Sequence, residues 1–171
     1  NVSMELTYSI YNTLAVITRS VRFANRGEKQ VMLNKALSVC IDLPDQNYEW
    51  MQFSGAWARE RKPIVRKIEC GTISIESKRG GSSPNQNPFV ILKRPNTDEF
   101  SGEAIGLSFV YSGNFVALAD ADTYGRLRLL MGINPETFRW PLQANEAFTA
   151  PEVIIAYSEK GMNELSQTYH N

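Results

Sequence analysis

Histidine occurs once in this sequence, at His170, and cysteine twice, at Cys40 and Cys70. One histidine at the far end of the chain leaves no Ser-His-Asp triad, and no GxSxG elbow is present. With no CxxC pair and a single imidazole, a zinc site is excluded as a working reading. Both cysteines sit in apolar, strand-like runs (ALSVCIDL and VRKIECGTISI), where a thiolate is disfavoured. That context predicts two buried free thiols; the alternative is a single bridge between them, not a disulfide framework. No apolar run approaches the ~20 residues of a transmembrane helix, and no signal-peptide pattern opens the chain. Lys+Arg and Asp+Glu are equal at 18 each, so the positive field that nucleic acids and membrane surfaces require is missing.

What is present is an ordinary globular composition, 43% hydrophobic and 21% charged, in 171 residues, enough for one domain with a sizeable core. Alternation of period two dominates. Val2, Met4, Leu6, Tyr8 and Ile10 share one face of a first strand, and Ala15, Ile17, Val21 and Phe23 one face of a second, with Arg19 the exception. Gln30–Leu43 reads as one long strand, ended by Pro44-Asp45. Tyr48–Phe53, Ile64–Cys70, Thr72–Ser77 and Phe89–Lys93 follow. Ala104–Ala121 reads as a hairpin closed by Gly113-Asn114. Arg126–Ile133, Thr137–Trp140 and Val153–Tyr157 add strands. One helix is predicted at the end, with Ser158 as N-cap and Met162, Leu165 and Tyr169 on one face. With no crossover helices between strands, the expected class is all-β, an antiparallel sandwich with one C-terminal helix. The strand pattern begins at Val2 and the helix-like segment reaches Asn171, which predicts a piece excised from a longer polypeptide.

Three stretches are candidates for chemistry. Asp120 and Asp122, two apart, would share a strand face, as a pair for glycoside hydrolysis or metal binding; two solvated acids near a turn is the preferred alternative. In FSGAWARERKP (Phe53–Pro63), Trp57 with Arg59 and Arg61 has the makings of a sugar contact, a flat apolar face beside fork-shaped donors. A Trp packed in the core next to surface ion pairs is the competing and preferred expectation there. Trp50 and Trp140 lie in strand patterns and are assigned to the core. SKRGGSSPNQNPF (Ser77–Phe89) has the glycines and basic pair of an anion-binding loop. It lacks the Gly-x4-Gly-Lys-Ser/Thr pattern, and a strand follows it where a phosphate loop needs a helix. A structural or domain-docking connection is expected.

FSGAWARER, SIESKRGGSSPNQNPF, VYSGNF, MGINPETFRWPL, APEVIIAYS and GMNELSQTYH occur in this order, from about Tyr8 to His170. Together they resemble the N-terminal β-supersandwich region of the bacterial α-galactosidases of glycoside hydrolase family 36. The resemblance implies the second half of that N-terminal domain: residues 1–157 as sandwich, 158–171 as a helical segment leading toward a (β/α)8 catalytic barrel. A barrel takes typically ~250 residues, and both catalytic aspartates would lie there, so no catalytic residue is carried over. The parent would be a cytoplasmic enzyme hydrolysing terminal α-galactosides of the melibiose and raffinose type with retention. It would be homo-oligomeric and need no cofactor or metal, and this part would pack on the barrel and make subunit contacts. The alternative is a free-standing carbohydrate-binding module using Trp57; a structural interaction domain unrelated to sugars is a third class. The chain departs from the family pattern where histidines are usual: Pro84 and Gln86 stand in those places, and Asn85 where Gln is usual. Pro141 and Ala144-Asn145 also replace the usual Leu and Pro-Gly.

Overall fold

The computed structural model describes residues 1–170. In chain order the strands are β1 (Val2–Ile10), β2 (Val16–Asn25), β3 (Val31–Leu33), β4 (Leu37–Leu43), β5 (Glu49–Ala56), β6 (Arg59–Lys67) and β7 (Gly71–Glu76). They continue as β8 (Phe89–Lys93), β9 (Ala104–Phe109), β10 (Phe115–Ala121), β11 (Leu127–Ile133), β12 (Trp140–Leu142), β13 (Ala147–Thr149) and β14 (Val153–Ser158), followed by helix α1 (Gly161–His170). The large sheet runs β1-β2-β14-β9-β8-β5-β6, with β13 also on β2; a four-stranded sheet runs β4-β11-β10-β7; β12 pairs with β3. Every paired strand is antiparallel, the sandwich that the alternation predicts.

The core lies between the two sheets. Trp50, Val90, Leu92, Leu107 and Val153 from the large sheet meet Val39, Ala117, Ala119, Leu127, Leu129 and Met131 from the small one. Each large apolar side chain so buried contributes about 1.5–3 kcal/mol. The central strands of the large sheet are covered on both faces. Ile91, Ala104 and Ala156 point the other way, onto Leu165 of α1, with Phe89, Met162 and Tyr169 packed around them. Tyr169 lies over Gly106, where an added Cβ would meet its ring at 2.7 Å, and its hydroxyl donates to Ile154 O at 3.2 Å. Burial pushes this phenol well above the usual tyrosine range.

Several expectations are corrected. Gln30–Leu43 is two strands, β3 and β4, in different sheets, since the polar Asn34-Lys35 pair lets the chain change layers. Ala104–Ala121 is no hairpin: β9 belongs to the large sheet and β10 to the small one. The end of the Tyr111 ring lies over Gly113, 2.4 Å from where a Cβ would stand, and the Asn114 side chain accepts from Gly80 N and donates to Thr137 Oγ1. Where a strand is expected over Thr137–Trp140, Pro135–Thr137 is a single 3-10 turn capped by Asn134, and β12 begins at Trp140. Trp140 is half-exposed against Phe148, unlike the fully buried Trp50. Both cysteines are free and exposed: Cys40 alternates onto the outer face of β4, and Cys70 lies beyond the end of β6. Helix α1 starts three residues after Ser158. Its first N–H groups, from Gly161, Met162 and Asn163, donate to the carbonyls of Gly102, Asp98 and Glu99. The Ser158 hydroxyl lies instead between Lys160 N and the Glu164 carboxylate.

Candidate functional site

The two stretches singled out for sugar and anion contacts lie side by side. The β5–β6 hairpin carries Trp57 at its tip, 90% exposed, which overturns its assignment to the core. The local backbone explains this. Ala58 and Arg61 both take left-handed φ, at 61° and 57°, conformations uncommon for residues other than glycine. The register shifts between Ser54 and Ala56, and a Cβ on Gly55 would meet Arg59 O at 2.3 Å. This tight, irregular tip turns Trp57 outward together with the exposed Arg59 and Arg61. Glu60 is drawn back to accept from Ala58 N at 2.8 Å and makes no ion pair among the described residues.

Ser77–Phe89 packs beside this hairpin. Several of its amides are tied to neighbouring segments: Ser77 N donates to Phe115 O, Gly80 N to Asn114 Oδ1, Ser82 N to Ser112 O and Asn87 N to Phe53 O. Strand β8 follows the loop, so the helix N-terminus on which a phosphate loop relies is missing here. Gln86, one of the residues standing where histidine is usual, holds the loop to β5. Its Oε1 accepts from Ser54 Oγ at 2.9 Å and from Gln52 Nε2 at 3.3 Å. Gln52 Oε1 in turn accepts from Trp50 Nε1 and Arg66 Nη2, both at 3.0 Å. Nothing in the sequence pattern marks Gln52, a polar residue at a core position. A shallow groove runs between hairpin and loop, lined by Glu60 and Arg61 on one side and Ser82, Pro84 and Asn87 on the other.

Asp120 and Asp122 line one open cavity together with Asp42, Arg126 and Arg128, and each is engaged locally. Asp120 Oδ1 accepts from Thr72 Oγ1 at 2.8 Å across the small sheet. Asp122 lies past the end of β10 and locks a turn, accepting from Tyr124 N at 2.8 Å and Arg126 N at 2.9 Å. Nearby, Asp42 is held by Arg128 through two hydrogen bonds of 2.7 and 2.9 Å, which keep its carboxyl below the usual range. Among the described residues no three His, Cys, Asp or Glu side chains are placed to hold a metal.

The fold is thus a two-sheet antiparallel sandwich with an exposed aromatic hairpin. Residues 1–143 match the glycosyl hydrolase family 36 N-terminal domain, and the chain belongs to that family. It is similar to the α-galactosidase AgaA of Geobacillus stearothermophilus, 48% identical over 165 residues, 96% of this chain and 23% of that enzyme. It is also similar to the bifunctional α-galactosidase/sucrose kinase AgaSK of Mediterraneibacter gnavus, 43% identical over 99% of this chain and 18% of that protein. The crystal structure of the first superposes with a TM-score of 0.97 at 47% identity, over 98% of this chain and 23% of that one. Variants of that enzyme have been crystallised in complex with stachyose and with raffinose. The chain thus spans about a quarter or less of the length of these relatives.

Proposed function

We propose that this chain is the N-terminal sandwich of a longer α-galactosidase that hydrolyses terminal α-galactosides of the raffinose and melibiose type with retention. Its own part is non-catalytic: it packs against the catalytic barrel and takes part in subunit contacts, with the segment from Ser158 onward leading toward the barrel. The carrying observation is the shape of the match. It runs over nearly the whole chain at up to 48% identity while covering 23% of the first relative, so that relative's activity belongs to a much longer polypeptide. The test is to follow raffinose hydrolysis by the longer polypeptide with proton NMR. α-Galactose appears first under this reading; β-galactose first, or no galactose at all, overturns it.

A second reading has one observation of its own, the 90% exposure of Trp57 on a conformationally strained tip. In it the hairpin contacts sugar directly, Trp57 stacking on an apolar sugar face while Arg59 and Arg61 donate to hydroxyls. Titration of the 171-residue chain with raffinose separates the two. Saturable binding abolished by Trp57→Ala supports direct contact; no binding at millimolar sugar removes it.

A further inference from the structure

The two edges of the large sheet are built differently. β6 carries Arg59, Arg61, Lys62, Arg66 and Lys67, and Pro63 removes an N–H; these are features by which an edge strand resists pairing. β1, nine residues long, has no proline and a single charge, Glu5. Its alternate residues Val2, Met4, Leu6, Tyr8 and Ile10 are all exposed, from 44% at Leu6 to 73% at Ile10.

These five belong to the inner face of the sheet. Tyr8 stands opposite Arg19 and Leu6 opposite Val21, both buried. Arg19 Nη1 reaches across to the small sheet and donates to Cys40 O on β4 at 3.0 Å. The small sheet ends at β4, so β1 overhangs it. Arg19 lies at the corner, 7% exposed, its guanidinium over the Tyr8 ring at 5.4 Å. Its Nε is buried without a hydrogen-bond partner, and no carboxylate pairs with it among the described residues. A buried cation with unmet donors is costly unless something supplies an acceptor.

We propose that the corner between the inner face of β1 and the free edge of β4 is the seat of an extended strand from the polypeptide outside these 171 residues. This rests on reading the chain as one part of a longer α-galactosidase. The strand continues the small sheet beyond β4, lays alternate apolar side chains on Met4, Leu6 and Tyr8, and brings a carbonyl or carboxylate oxygen to Arg19 Nε. The same polypeptide is favoured over a second copy on two grounds. The chain covers only 23% of its first relative, so ample polypeptide lies outside the matched region there. A second copy's overhang would bring Val2, Met4, Leu6, Tyr8 and Ile10, with no carboxylate for Arg19.

Hydroxyl-radical footprinting read by mass spectrometry tests this on the 171-residue chain and on the longer polypeptide from the same reading frame, with buried Met131 as internal reference. Oxidation of Met4 and Tyr8 is expected to fall on the order of tenfold in the longer polypeptide, and to stay low on dilution to monomer. Equal oxidation in both overturns the proposal. Protection lost on dilution also overturns it, giving the seat to a second copy. Galactose release is scored separately: a longer polypeptide that protects Met4 but releases no galactose refutes the functional reading and leaves the strand seat standing.

Discussion

Gln52 is 1% exposed, and its amide joins Trp50, Arg66, Ser54 and Gln86 in one network. Gln52→Leu leaves the Trp50 indole N–H buried without an acceptor and frees the loop anchor. The expected loss is about 1–3 kcal/mol in urea unfolding; a change below about 0.5 kcal/mol, the range of an ordinary surface substitution, would show that the network is dispensable. Acid sensitivity has a residue-level source as well. Arg94 donates to both Asp45 oxygens, at 2.6 and 3.2 Å, and holds that carboxyl below its ordinary value. A depressed folded-state pKa contributes stability that is present above the unfolded value of about 3.9 and is lost as pH falls through the folded value. Asp45→Asn should therefore flatten the fall in Tm below about pH 4, modestly, since the Asp45 side chain is 45% exposed. An unchanged acid limb would assign the sensitivity elsewhere. Legibility varied at this scale. Strand alternation identified Trp50 as core, but Trp57 in a similar run was thrown outward by a left-handed Ala58. Alanine carries no signal for that conformation, whereas a glycine would have.

Among the elements, α1 depends on how its first turn is received. Gly161 has φ 78°, and a Cβ there would meet Asp98 O and Ser101 N, each at 2.6 Å, in the loop that accepts the helix's leading N–H groups. Gly161→Ala should cost about 2 kcal/mol or more, because a strained φ and a displaced cap add together. Thermal unfolding followed by circular dichroism checks this, and an unshifted Tm would mean that the loop yields freely. The helix itself was legible from Met162, Leu165 and Tyr169, but its start was not, because backbone carbonyls distant in sequence cap it. The same limit explains the lost hairpin. Alternation in β9 and β10 correctly marks half-buried strands, yet it is silent on which neighbour each one pairs with. Gly113-Asn114 looked like a turn when its glycine makes room for Tyr111.

On the scale of the whole molecule, the sandwich class followed from short alternating strands and the absence of crossover helices. The family followed from six runs in order. The offset between the sheets did not: the apolar face of β1 reads in sequence like any core-facing strand, and only the position of β4 shows that nothing covers it. The functional account likewise rests on the relation of part to whole, a chain matched end to end by about a quarter of an α-galactosidase. Its central claim is that the sandwich lacks catalysis and that hydrolysis belongs to the longer polypeptide. The most direct measurement compares p-nitrophenyl α-galactoside hydrolysis by the purified 171-residue chain and by the longer polypeptide at equal molar concentration. The account predicts turnover by the longer polypeptide and none above buffer by the chain alone. Turnover by the chain alone that scales with its concentration and survives repurification would contradict it.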